Sequence, residues 1–258
     1  MAIAESERGA ADSPAACALP VLHQDSRLAL VNKPAGLMVH DSALARGETD
    51  FAADRLRQQF GRQVFLIHRL DRPTSGVLLL AFDREAASHL GKSLMTGVWE
   101  KDYLAICRGW PETEGIIDHP LDGGPGKPLK KPAQTRYRRL AQGELDEPCA
   151  GFATSRFALL QCTPMSGRFR QIRRHLKHID HHLIGDTSHG DGRRNRMFRM
   201  RGVHRMLLHA WRLRFPHPDG GVLDICAEPD GEFAKAMALF GWRLSEPRDA
   251  QQAERNAG

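Results

Sequence analysis

Along residues 20–244, short apolar runs alternate with amphipathic stretches, and the spacing of their apolar positions predicts which become strands and which helices. "VLHQDSRLALVNKP" predicts a strand that stops at the "NKPAG" turn, where Pro34 and Gly36 interrupt it. "TDFAADRLRQQFG" predicts a helix, with Thr49 or Asp50 as N-cap and Gly61 as its stop. Two apolar runs, "QVFLI" and "GVLLLAF", bracket a charged turn that begins "HRLDRP" and predict a pair of strands. "DREAASHLGKSLMTG" predicts a second helix, capped by Asp83 and stopped by Gly97, with Ala87, Leu90 and Leu94 on one face. "VWEKDYLAICRG" returns to strand character.

Residues 120–132 are a Pro/Gly/Lys loop, followed by expected strands at "AQTRYRRLA" and "FATSRFALLQC" with a polar loop between them. The clearest helical pattern covers 168–180: Phe169, Ile172, Leu176 and Ile179 share one face, and Arg170, Arg173, Arg174 and Lys177 occupy the other. "DGRRNRMFRMRG" reads as a basic loop or short turn, "RMLLHAWRLRFPHP" and "VLDICAE" as strands, and "DGEFAKAMALFGW" as a closing helix. Without a regular βαβ rhythm or an internal repeat, the expected class is α+β: one domain over 20–244, a mainly antiparallel mixed sheet flanked by helices and loops. Residues 1–19 and 245–258 are expected to be disordered tails.

Charge sharpens this picture. The net charge is only +6, but residues 127–214 hold 20 Lys+Arg against 6 Asp+Glu. Concentrated positive charge is what phosphate neutralisation requires, so the region is a candidate nucleic-acid surface; the alternative is a solvated basic face without a partner. The longest apolar run, "VLLLAF", is too short to span a membrane, and the N-terminus lacks the pattern of a secretory signal. Five scattered cysteines with no C-x-x-C pair point to a reducing cytoplasm and away from a disulfide framework or zinc site.

No phosphate-cradling glycine motif is present, so no nucleotide cofactor is expected. His175, His178, His181, His182 and His189 lie close in sequence, but the first two sit among cationic residues that repel a metal ion. No metal is expected; contact with RNA or ordinary surface placement accounts for them better. Arg193, Arg194 and Arg196, with Arg170, Arg174 and Lys177, are candidate phosphate contacts, because planar guanidinium groups suit phosphate. Asp71 has two readings: a turn-forming Asp, or a carboxylate kept ionised by arginines at a strand mouth, able to act as nucleophile or base. No obvious second carboxylate completes a glycosidase pair. One carboxylate, many arginines and no cofactor fit a reaction with no net redox change and no external group donor.

These residues resemble a known family. "HRLDRPTSGVLLLA" is similar to the catalytic motif of the RluA-type pseudouridine synthases, and "VNKPAGLMVH", "EKDYLAICRG" and "PMSGRFRQIRRHL...HHLIGD" resemble three further blocks in the family's order. The resemblance spans about residues 20–244. Within the family, "GDTSHGDGRRNR", "RMLLHAWRLRFPHP" and "FGW" look most like the branch that modifies uridine 65 of transfer RNA. Arg170 stands where the family usually has His, Ser166 where it has Thr, and His182-Leu183 replaces the usual Pro.

The resemblance implies an isomerase that acts without cofactor on a flipped-out uridine. Asp71 matches the nucleophile or base, Tyr103 the aromatic that stacks on the base, and Arg173 the cation paired with the carboxylate. Arg69 matches the side chain that fills the space left by the nucleotide. The implied partner is RNA, most closely tRNA; no protein partner is implied, which suits a monomer. A ribosomal-RNA synthase and a non-catalytic RNA-binding or RNA-folding protein are the rival readings.

Overall fold

The apolar runs join into one ten-stranded sheet in the computed structural model, which describes residues 18–40, 47 and 49–244. In chain order the elements are β1 (Val21–Gln24), β2 (Leu28–Lys33), α1 (Ala52–Phe60), β3 (Phe65–Leu66), β4 (Ser75–Ala81), α2 (Arg84–Met95), β5 (Glu100–Arg108) and β6 (Glu114–Asp118). They continue with β7 (Gln134–Leu145), β8 (Ser155–Pro164), α3 (Gln171–His178), α4 (Gly192–Met200), β9 (Leu208–Pro216), β10 (Val222–Cys226) and α5 (Gly231–Ala238). The sheet order is β1-β2-β4-β9-β5-β8-β7-β6, with β10 on β9 and β3 on β4. Every pair is antiparallel except β4 and β9, which run parallel through only Ser75–His209 and Gly76–Ala210. The expected α+β class with a mainly antiparallel mixed sheet is what forms.

Both faces of the sheet are covered, which explains why β4 is a continuous apolar run rather than an alternating one. Alternate residues of a strand point to opposite faces. Leu78 and Leu80 pack with Leu56 of α1, and Ala105, Ala158 and Leu160 with Ile172 and Leu176 of α3. On the other face, Val77 and Leu79 pack with Leu90 of α2. There Leu104, Ile106, Phe157 and Leu159 meet Phe198 of α4 and Phe233 of α5. Helices α1 and α3 therefore share one face, and α2, α4 and α5 the other.

Several elements depart from the sequence expectation. Helix α1 begins after Phe51, which has no side-chain cap hydrogen bond; Asp50 instead pairs with Arg55, while Gly61 closes the helix at φ 63° as expected. Asp83 does cap α2, accepting from the Ala86 N–H at 2.7 Å. Helix α3 starts three residues late, at Gln171, because Arg170 is left-handed at φ 51°. Residues 192–200 form α4, not a loop: Asp191 caps it through the Arg193 N–H at 3.0 Å, and Met197 and Phe198 bury against the sheet. Strand β6 was not expected from the sequence. The expected tails fall outside the described residues except for Ala18 and Leu19; Leu19 is buried, its N–H donating to Gln59 Oε1 at 2.9 Å. No helix among the described residues is long and apolar enough to cross a membrane.

At the parallel contact, Gly76 sits at φ 110° directly over the Ala210 backbone, where a Cβ would overlap the Ala210 carbonyl. Gly76→Ala is expected to cost roughly 3 kcal/mol, through left-handed strain plus a backbone clash that no side-chain rotation relieves. Urea denaturation of the two proteins measures it.

Candidate active site

The charged turn before β4 is held from below and from the side. Its Thr74 N–H donates to the Asp71 carbonyl at 3.0 Å, closing the turn. The Gly36 N–H donates to the Arg72 carbonyl at 2.8 Å, and Arg72 Nε returns a hydrogen bond to the Gly36 carbonyl at 3.0 Å. Lys33, fully buried at the end of β2, donates from Nζ to the carbonyls of Pro34 (2.7 Å), Leu37 (2.8 Å) and Arg72 (3.4 Å). Burial pushes this ammonium down to about 7, helped by the charge of Arg205 and opposed by Asp71. The "NKPAG" loop and the "HRLDRP" turn are thereby one unit, and Arg72, exposed at its surface, is a tie between them.

Asp71 meets Arg173 across this unit. Arg173 Nη1 lies 2.8 Å from Asp71 Oδ2, while Nε and Nη2 reach Asp186 Oδ2 and Oδ1 at 2.7 and 2.9 Å. The side chains of Arg173 and Asp186 are 4% and 1% exposed, whereas Asp71 is 21% exposed and presents its carboxylate to the cleft. Burial alone would push Asp186 upward; the Arg173 guanidinium and the N–H groups of His189 and Ser188 outweigh it, holding the carboxyl below its usual range. Burial works against the charge of Arg173 as well, and its two carboxylates overcome that, so its pKa is raised. The spacing puts Arg173 at the edge of the basic face, between the apolar stripe and solvent; it lies on the inward side of that edge, buried beside Ile172 and Leu176. The left-handed Arg170 gives α3 its pivot, and the Arg173 guanidinium is stable indoors because buried Asp186 and partly exposed Asp71 both face it.

Gln171 fixes that pivot. Its side-chain oxygen accepts from Ser166 Oγ (2.7 Å) and the Arg168 N–H (3.0 Å), and its amide donates to the Gln134 carbonyl (2.8 Å) and Thr135 Oγ1 (3.0 Å). Neither Gln171 nor Asp186 was assigned a role from sequence, although both stand inside the "PMSGRFRQIRRHL...HHLIGD" block.

Tyr103, at the start of β5, pairs with Ala210 on one side and Cys162 on the other. It packs where the α1-side and α3-side core clusters meet. Burial pushes its phenol up, and the negative charge of Asp71 adds to the shift, which places the two groups within electrostatic reach. His68, whose Nε2 accepts the Leu79 N–H at 3.2 Å, lines the same narrow gap with Lys101, Tyr103 and Ala210. Burial first and Lys101 second bring His68 down to about 4, so it is neutral. Arg69 is exposed, and its side chain makes no hydrogen bond or ion pair among the described residues. Asp71 and Arg173 are thus brought into contact, with Tyr103 within electrostatic reach of Asp71, whereas Arg69 is exposed two residues before Asp71 and touches none of them through its side chain among the described residues.

The other basic candidates are scattered. Arg170 lies beside the cleft, its guanidinium over the Phe169 ring at 4.8 Å, and Arg174 is turned away to Asp122 at 2.7 Å. Lys177 is exposed on α3. Arg193, Arg194 and Arg196 ride on α4, which covers the opposite face of the sheet, and Arg194 is paired with Asp191 at 2.5 Å. The histidines diverge too: His175 joins Thr135 Oγ1 and the His119 carbonyl, His181 the Arg108 carbonyl, and His182 the His189 carbonyl. No group of three or more metal-ligating side chains occurs among the described residues.

Comparison with known proteins gives one consistent answer. The sequence model of the RNA pseudouridylate synthase family matches residues 27–178. A tRNA pseudouridine synthase C of Vibrio cholerae is 42% identical over 238 residues, 88% of this chain and 98% of that protein. The tRNA pseudouridine synthase C of Vibrio parahaemolyticus is 44% identical over 235 residues, 87% and 96% of the two chains. In fold, human RNA Pseudouridylate Synthase Domain Containing 1 superposes with a TM-score of 0.70 at 24% identity, covering 96% of this chain and 98% of that one. Human RNA Pseudouridylate Synthase Domain Containing 4 does so at 0.67 and 23%, covering 88% and 95%.

The buried ion pair generates a pH prediction. Asp186 is held below its ordinary value, so its stabilisation is fully present above about pH 4 and is lost as pH falls through the lower folded-state value. Asp186→Asn should cost roughly 3 kcal/mol at neutral pH by leaving Arg173 under-compensated. It should also flatten the acid limb of a urea-midpoint series run from neutral to acid pH. An unchanged limb would show that other carboxylates govern acid stability.

Proposed function

The chain belongs to the RNA pseudouridylate synthase family, an enzyme that isomerises uridine in RNA, and on that premise we propose that its substrate is transfer RNA and its target uridine 65. The relatives named tRNA pseudouridine synthase C support tRNA, because the similarity runs through nearly their whole length. A cytoplasmic setting follows from the same reading, as do the absence of a cofactor and activity as a monomer.

The observation that carries the chemistry is the Asp71 carboxylate, fixed at 2.8 Å by Arg173 and open to the cleft beside Tyr103. Target uridine enters flipped, since a stacked nucleotide hides its glycosidic bond. Arg69, exposed and without a side-chain partner among the described residues, takes the space the base leaves. Tyr103 stacks on the uracil, with a phenol that burial keeps protonated and able to assist proton transfer. Asp71 acts on the nucleotide as nucleophile or base, and the bond from N1 to the ribose C1′ breaks. The uracil turns, C5 bonds to C1′, the C5 proton passes to a base and out to solvent, and N1 takes up a proton. Substrate and product have the same atoms, so neither oxidant nor group donor is needed. Positively charged Arg170 and Lys177 on the cleft side contact the RNA backbone, and Arg174 supports the α3 side through Asp122. Arg193, Arg194 and Arg196 reach phosphate only where the RNA extends to the α4 face.

Asp71→Asn and Asp71→Ala should abolish pseudouridine formation on tRNA transcripts while RNA binding persists. Retained activity in both would remove Asp71 from the chemistry. Tyr103→Phe should keep the stacking surface but slow the reaction by about a hundredfold. Mapping pseudouridine in RNA from cells lacking the protein should show loss at tRNA uridine 65. Loss in ribosomal RNA alone would redirect the substrate assignment, and no loss anywhere would favour a binding protein.

A further inference from the structure

Behind this site lies a chain of polar groups, buried at Ser75 and His209 and ending at the partly exposed Asp230, that the reaction itself does not use. Ser75, four residues after Asp71, is 1% exposed, and its hydroxyl lies 2.7 Å from His209 Nδ1. His209 is fully buried, and its Nε2 lies 2.8 Å from the Ala227 carbonyl. A carbonyl only accepts, so Nε2 carries the proton, and Nδ1 must accept from the Ser75 hydroxyl. Burial brings His209 down to about 4, which keeps it in this neutral form. The lone pairs of Ser75 Oγ then face Arg205 Nη1 at 2.8 Å. Arg205 is itself locked: Nε donates to the Met206 carbonyl and Nη2 to the Leu208 carbonyl, both at 2.9 Å, and Nη1 pairs with Asp230. Asp230 caps α5 through the Phe233 N–H at 2.9 Å.

The Arg205 backbone also carries the other half of the site. Gly185, immediately before Asp186, packs so tightly on the Arg205 carbonyl that a Cβ there would overlap it. The Leu207 N–H donates to the Ile184 carbonyl at 2.9 Å. One short segment, 205–209, therefore holds Ser75, the strand residue just after the Asp71–Thr74 turn, through its side chains and the loop that carries Asp186 through its backbone. Asp71 and Asp186 are the two carboxylates that Arg173 bridges.

We propose that Ser75, His209, Arg205 and Asp230 form a positioning relay that sets the placement of Asp71 against Arg173 from the far face of the sheet. The relay rests on the assignment of Asp71 as the carboxylate that acts on uridine. None of its members touches the nucleotide, so its loss should slow the reaction without weakening RNA binding. Sub-ångström misplacement of a reacting group is enough for that.

The test uses tritium released from C5-labelled uridine in unmodified tRNA transcripts, under single-turnover conditions, with RNA dissociation constants and melting temperatures measured alongside. Ser75→Ala should lower the rate about tenfold with the dissociation constant unchanged within twofold. Asp230→Asn keeps a good helix cap but removes the charge opposite Arg205, whereas Asp230→Glu keeps the charge and is the poorer cap. A relay predicts the lower rate in Asp230→Asn and a rate nearer wild type in Asp230→Glu. A merely structural cap predicts the reverse order, tracking the melting temperature, and would overturn the proposal. Wild-type rates in both Ser75→Ala and Asp230→Asn, with Asp71→Asn inactive, would overturn it as well. An active Asp71→Asn would instead overturn the reading beneath it, and the relay with it.

Discussion

Because the Arg173 guanidinium is almost wholly removed from solvent, it is stable only while both Asp71 and Asp186 face it, and the rest of the cleft is arranged to keep them there. A buried cation costs several kcal/mol unless its donors are matched, and three of its nitrogens are matched here. Asp186 supplies the inner, dry partner and Asp71 the outer, partly wet one. That asymmetry leaves one carboxylate enclosed and the other partly open to solvent.

Each carboxylate arrives on a different loop, and each loop needs its own support. The Asp71 turn is tied to the "NKPAG" loop by Lys33 and Arg72, so two motifs far apart in sequence become one rigid piece. The Asp186 loop threads between β5 and the start of β9, bonding Ile106 on one side and Leu207 on the other. Between these supports β4 and β9 pair for only two residues before they diverge. Tyr103 and His68 occupy the gap that divergence opens.

Much of this was legible along the chain because its signals are local. Helix α2 follows from its Asp83 cap and apolar spacing, β4 from a six-residue apolar run, and the Asp71, Tyr103 and Arg173 blocks from their resemblance to a family. What failed locally failed for tertiary reasons. Residues 192–200 looked like a basic loop because arginines dominate the segment, yet Asn195, Met197 and Phe198 bury against the sheet. Arg173 read as an edge residue whose partner is Asp71, and nothing nearby in sequence announced Asp186 as its second, buried partner. The basic residues of α3 and α4 looked like one surface, and the sheet stands between them.

What the sequence determined by itself was the set of elements whose periodicity, caps and turn residues act within a few positions, together with the chemical inventory of the cleft. What only the tertiary structure decided was which charges are buried, which face each arginine takes, and which loops hold one another. Those depend on desolvation and on partners brought together from more than a hundred residues away, as Asp71 and Arg173 are. No local pattern encodes the environment that makes such a pair stable.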